Sequence, residues 1–337
     1  MFEVCFCFLL LNLILRIQLR PNVTRPKMRR LLSLAALLLS IDPTEAEVVD
    51  DLAKCSDFFL FGTPPEIQGI LEDGKILAQN RYKPICQTLD DMRTFVTLYD
   101  TANKIPVFSA YRYHRTDPNI CRPKLKNNPR NKKKRNYQWK IEPQLEDIKN
   151  NINMKPSHHT MRHQAGNSNY SGCGNLGYSR GHLLPSSYGK TKHEKMSTFT
   201  LTNIVPQREK FNQGSWQKME ECVKCLLDEY CIDNNGQTEG YVVIGAQPGD
   251  THLNDAVNIP SILWSAFCCY SHSREKWLES AYWGKNRDDN DPYLQMKTLA
   301  QLHDELGTIA FPQVQCRNTT ETFQNLPSLH CKPLQPL

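Results

Sequence analysis

The chain has 337 residues, 39% of them hydrophobic and 23% charged, with no internal repeat. That composition excludes collagen-like, coiled-coil and wholly disordered chains and leaves a soluble globular protein with room for one large domain or two ordinary ones. The net charge of +6 says little by itself: residues 1–46 hold six basic and three acidic side chains, and the remainder carries 35 basic against 32 acidic.

Two apolar runs open the chain, Phe6–Ile17 and Leu31–Ile41. Neither reaches the ~20 residues that span a bilayer. Met28-Arg29-Arg30, the second run and Thr44-Glu45-Ala46 have the layout of a secretory leader cleaved after Ala46, so residues 1–46 are read as leader and 47–337 as the domain. Met28 is an alternative start, and a retained anchor is the competing reading of residues 1–41. Eleven of the 13 cysteines lie beyond the leader. This density suits an oxidising compartment, several disulfides and at least one unpaired thiol in a monomer. The sequons Asn169-Tyr170-Ser171 and Asn318-Thr319-Thr320 agree with a secreted or luminal glycoprotein.

Turn residues Gly62-Thr-Pro-Pro65 and the short run Phe95–Tyr99 lead to Ile105–Tyr111, whose β-branched and aromatic content predicts a strand. Arg122–Lys140 then holds nine basic residues and no acidic one. It reads as a basic loop near 122–140 that either binds phosphates without sequence preference or is merely solvated. Asn151–Gly177 is loop-like. Thr198–Val205 alternates as a half-buried strand ending at Pro206. Phe211–Tyr230 carries apolar residues at 216, 219, 223, 226 and 227, the spacing of an amphipathic helix with Asn212 at its N-cap. Gly240–Gly245 and Ile262–Phe267 read as buried central strands, and Leu299–Leu306 as a short helix. Adjacent Cys268 and Cys269 should face opposite sides of their strand. The elements lack βαβ regularity and predict one α+β domain.

The chemistry concentrates in Tyr178-Ser-Arg-Gly-His-Leu-Leu-Pro185, Thr202-Asn-Ile-Val-Pro-Gln207 and Phe211-Asn-Gln-Gly-Ser-Trp216. A neutral imidazole accepts a proton from water near pH 7. An Asn carbonyl oxygen suits Mg²⁺, which keeps several waters. Arginine matches a phosphate in charge and shape. Together they suit metal-assisted phosphodiester hydrolysis. On a regular helix Asn212 and Glu220 stand about 80° apart and ~12 Å along the axis, so Glu220 would act through a water rather than beside Asn212. Other groupings are weaker. His158, His159 and His163 lack good ligand spacing, and Cys222, Cys225 and Cys231 read as disulfide cysteines rather than a zinc site. Arg112 and Arg115 are further phosphate candidates.

In order and spacing, these segments, with Pro106–Tyr111, Trp139–Leu145 and Pro260–Trp264, resemble the DNA/RNA non-specific endonuclease family between about Cys55 and Cys316. The resemblance implies a mixed, largely antiparallel sheet with a ββα-metal (His-Me) finger and a secreted Mg²⁺-dependent endonuclease of DNA, with RNA a second substrate; Mn²⁺ or another divalent cation is an alternative. It further implies that His182 is the general base, Asn212 the metal ligand and Arg180 the stabiliser of phosphate charge. Asn203 would orient water and histidine, and Glu220 would hold a water of the metal's shell. Ser179 departs from the family's usual Asp, losing a fixed negative charge while keeping a hydrogen-bonding oxygen. The alternative function is therefore a weakened or inactive nuclease-fold protein that binds nucleic acid or another polyanion. A phosphodiesterase of smaller substrates is a third.

Overall fold

The computed structural model describes residues 47–117, 119–120, 139–156, 161–288, 293–312 and 320–322. The leader, most of the basic segment, His158, His159 and the Asn318 sequon lie outside them. Alternation of apolar residues builds a first meander of β1 (Tyr82–Leu89), β2 (Met92–Asp100) and β3 (Ile105–Tyr113). Its first turn uses Asp90 and Asp91, both at positive φ (46° and 61°), as tight hairpins require.

Between β3 and the next central strand lies the insertion of residues 114–239. It carries β4 (Tyr178–His182), α1 (Lys192–Ser197), β5 (Ile204–Arg208) and α2 (Gln217–Tyr230). The antiparallel β4–β5 ribbon followed by α2 is the expected ββα finger. The chain then returns through β6 (Gly240–Gln247), β7 (Ile262–Ser271) and β8 (Lys276–Lys285), followed by α3 (Leu299–Leu306) and β9 (Thr320–Thr322). The sheet order is β9-β8-β7-β6-β3-β2-β1, antiparallel throughout except for the β8–β9 pair. Strand β6 lies against β3, with Ile244 opposite Ser109, so the insertion leaves and re-enters the sheet at neighbouring strands. This is the predicted mixed, largely antiparallel α+β architecture, and the described residues fall in one compact unit.

Period-two burial gives the sheet two covered faces. Phe95, Tyr111, Val242, Ile244, Phe267 and Tyr282 pack against the finger. Val96, Phe108, Val243, Trp264 and Ala281 pack against Leu52, Phe59, Leu302 and Phe311 on the other side. Cys268 and Cys269 do separate, one to each face. Cys55–Cys86 and Cys231–Cys269 are disulfides; Cys225 and Cys268 are also disulfide-bonded, whereas Cys173 and Cys222 are free thiols.

Two local expectations are corrected. Residues 201–203 form a 3₁₀ turn, and the strand begins at Ile204 and runs through Pro206 to Arg208. A two-stranded ribbon leaves each strand one edge outside the ladder, where proline removes no bond. Pro206 faces that edge, its carbonyl accepting from Asn286 Nδ2 (2.9 Å). Asn212 is not an N-cap either. Helical geometry starts at Glu209, and Asn212–Trp216 is a π-helical turn that runs directly into α2.

Candidate active site

His182 ends β4, nine-tenths buried. The glycine before it is dictated by packing. A Cβ on Gly181 would lie 2.0 Å from Gln207 Oε1, because the buried Gln207 side chain of β5 crosses beneath it. The His182 ring packs against Phe199 (4.9 Å) and Trp139 (5.5 Å), which fixes its plane. Arg180 sits two residues earlier, its guanidinium over the rings of Trp139 (5.2 Å) and Tyr170 (5.4 Å), with Nη2 donating to the Asn167 carbonyl (3.3 Å). Burial lowers its pKa, yet a guanidinium remains charged at any ordinary pH. The aromatic faces compensate part of the lost hydration.

Across from this strand, the π turn changes the geometry expected of α2. An i→i+5 turn holds one residue more than an α turn. That extra residue, with the non-helical Gly214 (φ −107°, ψ −112°) inside the turn, removes the regular-helix spacing that would set Asn212 and Glu220 about 80° apart; both residues reach the same space. Both line one cavity of about 860 Å³, together with Arg180 and His182. The Asn212 Nδ2 donates to Ser179 Oγ (2.8 Å), which leaves the carbonyl oxygen as the atom for a ligand. One neutral oxygen with a carboxylate lining the same cavity suits a hydrated hard cation such as Mg²⁺. Among the described residues no cluster of three His, Cys, Asp or Glu offers a site of the zinc type.

Asn203 is placed differently. It is fully buried and does not line the cavity. Its Oδ1 accepts from Leu184 N (3.0 Å) and Ser109 Oγ (2.9 Å); its Nδ2 donates to the carbonyls of Leu184 (3.0 Å) and Thr198 (3.1 Å). These bonds tie the backbone just after His182 to β3 and to the end of α1. The structure thus brings His182, Arg180, Asn212 and Glu220 together and sets Asn203 behind them as a tie.

The cavity wall carries charge beyond the four motif residues, part of it expected from the sequence. Arg115 lines it, whereas Arg112 lies elsewhere, paired with Glu239 (2.9 Å). Lys195 of α1 also lines it although nearly fully buried. Only the capping box Thr191/Glu194, which starts α1, hinted at that helix in the sequence. Asp117 and Ile120 line the cavity and Trp139 touches His182, so described residues just before the basic segment and at its end reach the site. Lys140, counted with that segment, is buried: its Nζ donates to the Met196 carbonyl (2.6 Å), and burial lowers its pKa to about 8. Among the other groupings, His163 stands 3.8 Å from Glu146; Cys225 and Cys231 are disulfide-bonded as expected, but the expectation for Cys222 is corrected, since it is a free thiol whose Sγ lies 3.8 Å from the Tyr282 hydroxyl.

Residues 73–315 match the family described as DNA/RNA non-specific endonuclease. The endonuclease domain-containing 1 protein of Homo sapiens is 27% identical over 252 residues, covering 71% of this chain and 44% of the relative. Its Mus musculus counterpart is 28% identical over 249 residues, covering 71% and 43%. A mitochondrial nuclease EXOG of Xenopus laevis is 44% identical over 170 residues, covering 44% of each. The chain spans less than half the length of the first two relatives.

Proposed function

The chain belongs to the DNA/RNA non-specific endonuclease family, and from that premise we propose that it is a Mg²⁺-dependent endonuclease of DNA and RNA acting in the secretory pathway or outside the cell. The observation that carries this reading is the convergence of His182, Arg180, Asn212 and Glu220 on one cavity from the two arms of the finger. His182 takes the proton from the attacking water, its ring plane held by Trp139 and Phe199. Arg180 meets the phosphate oxygens as charge grows on them, already oriented by two aromatic faces and the Asn167 carbonyl. Asn212 and Glu220 would hold Mg²⁺, which when bound stabilises the charge of the phosphate and the departing oxygen. Asn203 keeps the backbone after His182 in place.

Arg115 and Lys195, in a cavity wall that also carries Asp117, Glu221 and Asp228, and above all the nine basic residues of Arg122–Lys140 in the sequence, support a polyanion with little sequence preference. The disulfides on both sheet faces support an oxidising compartment. No helix among the described residues is long and apolar enough to cross a membrane.

The test is plasmid degradation by the protein secreted from eukaryotic cells, with Mg²⁺ and with EDTA. Cleavage in Mg²⁺ that EDTA abolishes is the expected result. Salt-sensitive DNA binding without cleavage would replace the reading with a binding protein. Turnover of dinucleotides alone would point to a small-substrate phosphodiesterase.

A further inference from the structure

Ser179, where the family usually has Asp, stands between the Gln207 carbonyl, whose polarity is fixed, and the Asn212 amide, which can present either its oxygen or its NH₂. Its Oγ lies 3.3 Å from the Gln207 carbonyl oxygen and 2.8 Å from Asn212 Nδ2. In the structure the single hydroxyl hydrogen goes to the Gln207 carbonyl, which can only accept. What Ser179 offers Asn212 is then a lone pair, and a lone pair is met by the amide NH₂ and not by the amide oxygen. The direction of one bond therefore sets the direction of the next. The backbone pairing of Ser179 with Gln207 in the β4–β5 ribbon anchors the chain of bonds at its start.

We propose that Ser179 is the positioning residue that sets the flip of the Asn212 amide, so that Oδ1 rather than NH₂ is presented to a divalent cation in the cavity. The proposal rests on the metal-dependent reading above and adds the device that makes an asparagine a dependable ligand. An amide turned by 180° would aim two N–H donors at the ion. A threonine at 179 preserves the polarity of the relay, whereas an alanine removes it and frees the amide to take either orientation.

The test measures Mn²⁺ binding by titration calorimetry on the full secreted protein without nucleic acid, taking as site binding the signal lost in Asn212→Ala. Ser179→Ala should weaken that binding at least 10-fold at an unchanged melting temperature, and Ser179→Thr should restore most of it. The decisive arm uses Asn212→Asp, whose two oxygens make a flip immaterial. In that background Ser179→Ala should change Mn²⁺ affinity less than 3-fold. Equal affinity of wild type and Ser179→Ala overturns the positioning role and leaves the metal site standing. A loss of the same size in the Asn212→Asp background also overturns it, since that is the mark of general structural damage. Absence of Asn212-dependent Mn²⁺ binding in the wild type would remove the metal site itself, and the proposal with it.

Discussion

The two faces of the central sheet are built from the same strands by different rules. One face, toward Leu52, Phe59, Leu302 and Phe311, is closed by apolar side chains and the Cys55–Cys86 disulfide. Its buried carboxyl Glu279 accepts from Leu299 N at the start of α3 (3.0 Å). The other face carries the finger, where polar groups stand in hydrogen-bonded chains: Asn203 to Leu184 and Ser109, and Asn212 to Ser179 and on to Gln207. The difference teaches that the finger face adds hydrogen-bonded polar chains to an apolar core of its own, so substitutions at its cavity-lining groups should change activity, whereas substitutions on the other face should change stability alone.

After the histidine, the largest effect is expected at Asn212. Asn212→Ala should lower Mg²⁺-dependent cleavage about 10²–10³-fold, the loss seen when an electrostatic stabiliser leaves an active site, with little change in melting temperature. Parallel rate and melting measurements would reveal a loss of folding instead.

Glu279 probes the opposite face. Burial raises its pKa from 4.5 to about 7, opposed by the Leu299 N–H. Between those values the unfolded chain releases the proton while the folded chain retains it, so this group lowers stability as pH rises through the window, and the penalty is constant above it. The full penalty is about 3 kcal/mol. Glu279→Gln should thus match wild type in stability below pH 4.5 and exceed it by about 3 kcal/mol above pH 7, with unchanged cleavage. Denaturant titrations across that range check it.

Gly181 tests whether the finger tolerates any side chain beneath the base. Gly181→Ala forces Gln207 to move and should cost about 1–3 kcal/mol, seen as a lowered melting temperature together with slower cleavage. A smaller effect is expected at Trp139. Trp139→Leu removes the aromatic face from Arg180 and should slow initial rates about 3–30-fold, the equivalent of a cation–π contact of about 0.5–2 kcal/mol, without altering DNA affinity measured in EDTA.

These two faces were unequally legible in the sequence. Strands β3, β6 and β7 announced themselves through β-branched and aromatic runs, and α3 through its periodicity, because burial alone determines them. The site residues were legible as a set of motifs. Their geometry was not, since a π turn with a non-helical Gly214 leaves the apolar spacing of α2 intact while changing where Asn212 stands relative to it. Pro206 misled for a related reason, a ribbon of two strands having a free edge that no single-strand pattern reveals. Lys195 was silent: a lysine in a short polar helix carries no mark of being nearly fully buried.

The central claim is that the finger face is catalytic and that His182 is its base. It is tested most directly by His182→Ala, measured for plasmid cleavage in Mg²⁺ and for melting temperature in the same preparation. The account expects cleavage to fall by about 10²–10⁴-fold, the range of a lost general base, with the melting temperature unchanged. Cleavage near the wild-type rate in the folded variant would contradict it.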